Sequence, residues 1–364
     1  MSKAKTIATI GSHSALDICR GAKDEGFNTL VIVEKGRDQT YAKHFKTSGG
    51  LGCVDEVLYV DKFKDILKAD FIKILKKKDV IFIPHRSFEV YVNNYDAIEN
   101  EFDVPIFGNK KLLRIEERTE RPNQYDLLKA AKINFPTIFD NFQQIDRLSI
   151  VKVPEKDRKF ERAFFLADSS GGYQHTSERL ISEGKIDREA LEKATIEELV
   201  LGVQINFNFF YSTLTERLEL VGTDTRRQTN IDGLLRLTSN LQQRAMEDHK
   251  VEAKYEEAGH IAVTTLESLL EPAFEMGERF VKTARELFTP GVIGPFSLQS
   301  IITAGPPKKE IVVFDVSPRM PGSPGIFATP YSGYLYGKSI SMGRRVAQEI
   351  KLAAEKNKIS QITT

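Results

Sequence analysis

Apolar residues in the first 110 positions come as short β-branched runs: TIATIG from 6, TLVIVEKG from 29, EVLYV from 56, VIFIP from 80 and VPIFG from 104. Helical stretches separate them. Such alternation predicts parallel strands with helices on both faces, because a parallel sheet has no solvent-facing side and its strands read as near-continuous hydrophobic segments. The first helix is expected at about 14–25, where Ala15, Ile18, Cys19 and Ala22 share one face. In such a sheet ligands bind beyond the carboxyl ends of the strands, at Gly11-Ser12-His13-Ser14 and Pro84-His85-Arg86-Ser87.

The pattern changes after position 109. A charged helical stretch over 109–131 carries the chain onward, with Pro122 expected to divide it into two helices. SIVKVP, RAFFLAD, LVLGVQINFNFFYS and RLELVGTDTRR then read as strands around a polar helix near 173–183, an α+β arrangement. TTLESLLEPAFEMGERFVKTARELF places Leu269, Phe274, Phe280, Val281, Ala284 and Phe288 at helical spacing and predicts a long helix, interrupted or bent near Pro272. FSLQSIIT and EIVVFDVSPR predict a hairpin, and a last helix is expected over about 342–356. The division implied is a parallel-sheet unit over 1–121 and an α+β unit of two subdomains over 122–364.

With 41% hydrophobic and 28% charged residues among 364, the chain can bury a core. Fifty-two basic against fifty-one acidic side chains leave a formal charge of +1, so no overall field draws the protein to nucleic acid or to an anionic membrane. The basic N-terminus passes at once into strand-like sequence, and no run approaches the ~18 apolar residues of a membrane span. A soluble, cytoplasmic protein is expected. Cys19 and Cys53 lack a CxxC partner and predict neither a zinc site nor a disulfide framework.

Candidate chemistry concentrates near the carboxyl end. In Val313-Phe314-Asp315-Val316-Ser317-Pro318-Arg319 a carboxylate, a hydroxyl and a guanidinium alternate along a strand, and alternate residues share a face, so the three are expected to converge. Magnesium takes oxygen ligands together with phosphate oxygens, and an arginine beside it grips phosphate through paired hydrogen bonds. The hairpin sets the Gln299 amide oxygen opposite Asp315 as a second ligand. The plainer alternative is an acid and a base alternating at a solvated strand edge. Lys152 is a lone charge in an apolar strand, where a nucleotide phosphate accounts for its burial better than packing does. Glu197 and Glu198 precede an apolar run and Gly202, as nucleotide contacts or as a solvated helix end.

At the first strand's end, His13 and Ser14 occupy a junction whose unpaired N–H groups suit an anion, although serine there is more often a cap. His85 and Ser87 are expected to approach the same crevice. TDTRRQTNIDG, over 223–233, reads as a strand running into a polar loop, with Arg226 and Asn230 beside the nucleotide site and Asp232-Gly233 as a surface turn. His44, His175 and His249 lie in polar contexts and are expected to be solvated.

Lys152, the segment Glu197-Glu198-Leu199-Val200-Leu201-Gly202 and the terminal Asp-x-Ser-Pro-Arg occur in the order that ATP-grasp ligases use. GSHSALDICRGAKDEGF, KGRD, PHRSF, VPIFGNKKLLR, TNIDGLLR, ESLLEPAFEMGE, IGPFSLQS and SMGRRVAQEIK resemble, in order and over nearly the whole chain, the archaeal 5-formaminoimidazole-4-carboxamide ribonucleotide synthetases. The resemblance implies an α/β protein, an ATP-grasp fold behind an N-terminal, Rossmann-like parallel-sheet domain. It further implies a homo-oligomeric ligase of purine biosynthesis that uses ATP and Mg2+ to join formate to the amine of 5-aminoimidazole-4-carboxamide ribonucleotide through formyl phosphate. Together with the residue reading, it assigns His13, Ser14, Ser87 and Asn230 to the phosphorylated aminoimidazole nucleotide, and Lys152, Glu197 and Glu198 to ATP. Gln299 and Asp315 are assigned to magnesium, and Arg319 and Arg226 to the charge on the transferring group.

The chain departs from the family pattern at several places. Asp315 stands where glutamate is usual, His260 and Ala262 where asparagine and proline are usual, and Leu266 where the family has arginine. Between Lys152 and Phe165 there is no glycine where the family has a glycine-rich phosphate loop, so two outcomes are open: Lys156, Arg158 and Lys159 compensate by charge, or ATP binds weakly. Two other readings follow: an ATP-grasp ligase with a different carboxylate or amine, and a nucleotide-binding paralogue without catalysis.

Overall fold

The structure is a computed structural model that describes residues 5–154, 164–249, 251, 257–305 and 307–364. The first apolar runs form β1 (Thr6–Ile10), β2 (Asn28–Glu34) and β3 (Glu56–Val60), with α1 (Ala15–Asp24) between the first two. Then come α2 (Ala69–Lys77), β4 (Val80–Phe82), α3 (Arg86–Val92) and α4 (Tyr95–Asn100). The strands pair in parallel in the order β3-β2-β1-β4. Succession along the sheet reverses between β1 and β4, which opens a crevice at their carboxyl ends. VPIFG, expected as a further strand, adds a single parallel bridge from Ile106 to Phe82. Its backbone is shared with the end of the chain, where Ile106 bonds to Thr364 and the Gly108 N–H donates to Ile362.

Beyond Pro122, α5 (Gln124–Ala130) starts at an Asn123 cap. A four-stranded antiparallel sheet, ordered β5-β8-β6-β7, is built from β5 (Ile138–Phe139), β6 (Ser149–Lys152), β7 (Phe164–Ala167) and β8 (Thr195–Glu198), with α6 (Ser170–Ser182) and α7 (Arg188–Glu192) before the last of these. The largest sheet takes β9 (Val203–Ser212) and β10 (Arg217–Gln228), then α8 (Thr229–Leu234), α9 (Ser239–Glu247) and β11 (Glu257–Ala262). It continues through α10 (Leu270–Leu287) to the hairpin β12 (Gly294–Ile302) and β13 (Ile311–Ser317), and α11 (Tyr331–Tyr336) and α12 (Met342–Glu355) follow. Its five strands are antiparallel in the order β11-β10-β9-β12-β13.

Two local expectations need correction. Pro272 is the third residue of a continuous α10, where a missing N–H removes no bond within the helix, so the proline does not interrupt it. The segment after Gln228, expected as a loop with a turn at Asp232-Gly233, is helical as α8.

Three apolar cores set the geometry of the crevice. Phe207, Phe209, Phe280 and Phe296 fill the core between the large sheet and α10, with the Phe280 and Phe296 rings 5.1 Å apart. A separate core covers one face of the first sheet with Phe82, Phe88 and Phe102. The third joins the first sheet to the large one through Ile7, Ile18, Ile81, Phe210, Val221, Met342 and Val346. Here α1 and α12 cross at glycines, because neither Gly21 nor Gly343 has room for a Cβ against the other helix's backbone. The Gly343 N–H donates to Asp17 Oδ2 at 3.0 Å across the same crossing. No described helix is long and apolar enough to cross a membrane.

Candidate active site

One wall of the crevice is the end of β1 and β4. His13 has a left-handed φ of 48°, uncommon for a residue with a Cβ and typical of sites where the backbone is held by its surroundings. Its ring stacks on His85 with centroids 5.3 Å apart, so the two strand ends do meet. The Ser14 hydroxyl donates to the Pro321 carbonyl at 2.5 Å and therefore accepts from His13 Nδ1 at 2.7 Å. That leaves His13 Nε2 as an acceptor, and Gly322 lies so close that a Cβ there would stand 2.5 Å from it. His85 Nε2 donates to the Ile10 carbonyl at 3.0 Å, and its Nδ1 accepts from the Ser87 N–H at 3.3 Å, which caps α3. Burial pushes the His85 ring down to about 4. Burial, then His85, Arg319 and His260, also hold His13 well below the ordinary imidazole value. Both rings are neutral at neutral pH.

The facing wall is the large sheet. Asp315 and Gln299 are register partners across β13 and β12, as the hairpin reading requires. The Gln299 amide nitrogen donates to Ser317 Oγ at 3.1 Å, while its oxygen accepts from Arg226. Arg118 Nη2 lies 2.9 Å from one Asp315 oxygen and Arg226 Nη2 3.9 Å from the other. Burial alone would raise the Asp315 carboxyl, but Arg118, Arg226 and Lys152 outweigh it and hold it below the usual carboxylate range. Arg118 Nε donates to the Tyr125 hydroxyl at 3.0 Å, which donates in turn to Glu197 at 2.5 Å. The other Glu197 oxygen receives the Lys152 ammonium. Lys152 is itself lowered, by burial and then by Arg118.

Arg226, Lys152, Glu197, Gln299 and Asp315 therefore share one polar cluster, while other expected members stand elsewhere. Glu198 takes the opposite face of β8 from Glu197, as strand alternation demands, and accepts from the Thr137 N–H at 3.3 Å. Arg319 does not join Asp315 and Ser317. The strand ends at Ser317 and Pro318 breaks the alternation, so the guanidinium turns to Glu89 at 3.2 Å and Glu116 at 2.7 Å. Ser14 acts on His13 and Pro321 rather than facing outward, Ser87 is buried at the start of α3, and Asn230 sits half-buried in the first turn of α8. The phosphate loop's Lys156, Arg158 and Lys159 lie outside the described residues.

Sequence reasoning missed Arg118, Tyr125 and Gln124, whose side-chain oxygen accepts from the Val316 N–H at 2.7 Å. Nothing in Glu116-Glu117-Arg118 separates a site arginine from a solvated helix surface. A third group, also unforeseen, joins β10 to β11: His260 donates from Nδ1 to Asp224 and from Nε2 to Glu257 at 2.8 Å. Asp224 also accepts from Asn206 at 2.9 Å and Asn208 at 2.6 Å. Burial opposes the His260 charge, yet the two carboxylates raise the ring to about 9. A raised histidine stabilises the fold fully below its unfolded value of ~6.5, and that contribution is lost as pH rises through about 9. Urea denaturation is therefore expected to show about 3 kcal/mol of stability disappearing across this window in the wild type and not in His260→Asn. A flat wild-type profile would remove the charge from His260.

Asp315 and Gln299 offer only oxygen donors, and among the described residues no group of three or more His, Cys, Asp or Glu side chains is placed to hold a metal. That set suits a magnesium ion arriving with phosphate oxygens and is too small to cage one by itself.

Residues 172–364 match the family described as a domain of unknown function, DUF1297, and residues 7–139 the one described as a protein of unknown function, DUF1246. A 5-formaminoimidazole-4-carboxamide-1-(beta)-D-ribofuranosyl 5'-monophosphate synthetase of Methanopyrus kandleri is 39% identical over 359 residues, 99% of this chain and 95% of the relative. The chain belongs to that synthetase family. The crystal structure of the IMP biosynthesis protein PurP from Thermococcus kodakaraensis is similar with a TM-score of 0.71 at 27% identity, covering 98% of this chain and 100% of the other. An N5-carboxyaminoimidazole ribonucleotide synthetase solved with ADP shares the fold, with a TM-score of 0.59 at 12% identity over 93% of this chain and 78% of the other. The synthetase fold is ATP-grasp, with the four-stranded parallel sheet at its amino end.

Proposed function

We propose that this synthetase phosphorylates formate with ATP and passes the formyl group to the amine of 5-aminoimidazole-4-carboxamide ribonucleotide. The observation that carries the reading is the opposition of two differently charged walls across one crevice. On one side, Lys152, Arg118 and Arg226 gather around Asp315 and supply the counter-charge a triphosphate needs. On the other, neutral His13 presents Nε2 to N–H groups of the nucleotide, with Ser14 holding the ring and Ser87 on the same side, while Asn230 would meet the nucleotide from α8, next to β10 of the large sheet. Asp315 and Gln299 would hold Mg2+, which when bound polarises phosphate oxygens.

A formate oxygen attacks the γ-phosphorus as the bond to ADP breaks, giving formyl phosphate. The amine nitrogen then attacks the formyl carbon, phosphate leaves, and the nitrogen gives up a proton. Arg226 and Arg118 stand where charge builds on the transferred phosphoryl group. The test is ADP release from the purified protein, expected to require formate and to be sustained over many turnovers only when the ribonucleotide is also present to consume the formyl phosphate. Turnover with another carboxylate and none with formate would overturn the substrate assignment, and nucleotide binding without turnover would favour the non-catalytic paralogue.

His13→Ala is expected to weaken binding of the ribonucleotide about tenfold to a hundredfold, the loss of one or two hydrogen bonds at a partly enclosed site, while ATP affinity stays nearly unchanged. Calorimetric titration of each ligand checks this. Equal loss for both would show that the walls do not divide the substrates. The homo-oligomer that the family resemblance implies is open to sedimentation analysis of the full chain.

A further inference from the structure

The cations of the crevice are already neutralised from within. Lys152 is paired with Glu197 and Arg118 with Asp315, while Arg226 reaches Gln299 through Nη2 and lies 3.5 Å from Glu257 through Nε. The position of Arg226 stands apart from the other two. Its Nη2 donates to the Gln299 oxygen and stands 3.9 Å from Asp315 Oδ2, so a guanidinium nitrogen fills the space between the two oxygens assigned above to magnesium. Its Nε is buried and makes no hydrogen bond among the described residues. Glu257 Oε2 at 3.5 Å attracts that nitrogen but is too distant to bond it. An arginine with an open donor and a carboxylate just beyond reach is set to exchange partners.

We propose that Arg226 is a placeholder for the divalent cation: in the nucleotide-free protein it fills the position between Gln299 and Asp315 and excludes a free metal ion, and it withdraws toward Glu257 when a nucleotide brings the metal in. The charges make the order of events asymmetric. A bare dication would have to displace Arg226 and compete with Arg118 for Asp315, with nothing to take over the freed cations. The same ion carried by a triphosphate brings acceptors for Lys152 and Arg118, while Glu257 receives Arg226 Nε. Glu257 is fixed from behind by His260, which Asp224 holds in turn, so the place to which the guanidinium retreats is itself rigid. The identity of the incoming ion rests on the ligase reading. The exclusion of a free ion rests on the geometry alone.

The probe is manganese alone, titrated into the full-length, nucleotide-free protein and followed by electron paramagnetic resonance. Removing a unit charge ~4 Å from the ion is expected to raise manganese affinity in R226A by about a hundredfold over wild type, even with the screening of a solvent-accessible site. Adding D315N to R226A is expected to return the affinity to the wild-type level. Equal affinity in wild type and R226A would overturn the proposal, and so would R226A binding that survives D315N. R226Q keeps a donor to Gln299 without the charge and covers the case in which R226A does not fold. It too is expected to bind manganese, and wild-type affinity in folded R226Q would likewise overturn the idea. Failure of the ligase reading is seen separately, in ADP release that depends on formate.

Discussion

Asp315→Asn is expected to abolish ligase turnover and, in the same protein, to lower stability by about 3 kcal/mol. The amide keeps the shape of the side chain but not its charge, and Arg118, Arg226 and Lys152 are all grouped around that charge in a buried place. Without it Arg118 has at most a neutral acceptor where a carboxylate oxygen stood at 2.9 Å, beside the Tyr125 hydroxyl. The pH dependence has a fixed sign. A carboxylate held below its ordinary value contributes stability above the unfolded pKa of ~3.9 and loses it as pH falls through the depressed value, so the wild type should lose this increment in acid and the variant should not. Chemical denaturation at pH 7 beside ADP release reads both effects. Unchanged turnover would take Asp315 out of the phosphate site, and unchanged stability would show that the three cations do not depend on it.

Arg319→Ala is expected to cost about 3–5 kcal/mol, because it removes the guanidinium that Glu89 and Glu116 share in a buried place and leaves them, among the described residues, with Arg86. Burial and then Glu116 already push the Glu89 carboxyl up, and among the described residues one Glu116 oxygen has no hydrogen-bond partner even with the arginine present. Arg319 also anchors the segment that backs His13: Met320 bridges to His85, Pro321 receives the Ser14 hydroxyl, and Gly322 underlies the imidazole. Its expected contribution to the site is therefore positional. Arg319→Lys separates this role from direct contact with phosphate, since lysine keeps the charge and loses the two-pronged geometry. Denaturation should show a partial loss of stability, with turnover per folded molecule close to wild type. A collapse of turnover in a well-folded lysine variant would return Arg319 to the reacting groups.

The contrast between Asp315 and Arg319 shows where the sequence was readable. Alternation along a strand is a local property, so it set Gln299 against Asp315 and put Glu197 and Glu198 on opposite faces once β8 was recognised as a strand. The strand ends at Ser317, two residues short of Arg319. The parallel order of the first strands, the two histidines at their ends and the long α10 also follow from short-range periodicity. Choice of ionic partner does not. Arg118 meets Asp315 across 197 positions and His260 meets Asp224 across 36, and nothing near these residues marks them as partners. Helix and strand are written in spacings of two to four residues, whereas a charge cluster is assembled from whichever segments the finished fold brings together.

The way residues 342–364 are used has a further bearing, on the synthesis of the chain. The Lys110 N–H donates to Thr364 Oγ1, 254 positions later, Gly108 and Ile106 bond to the same stretch, and α12 covers Ile18 and Ala22 of α1. A ribosome therefore finishes the amino-terminal sheet long before it makes the helix that shields it. Throughout that interval Ile7, Ile18 and Ile81 lack their cover, so the growing chain carries an uncovered apolar face that invites a chaperone or a neighbouring nascent chain until the last turns emerge.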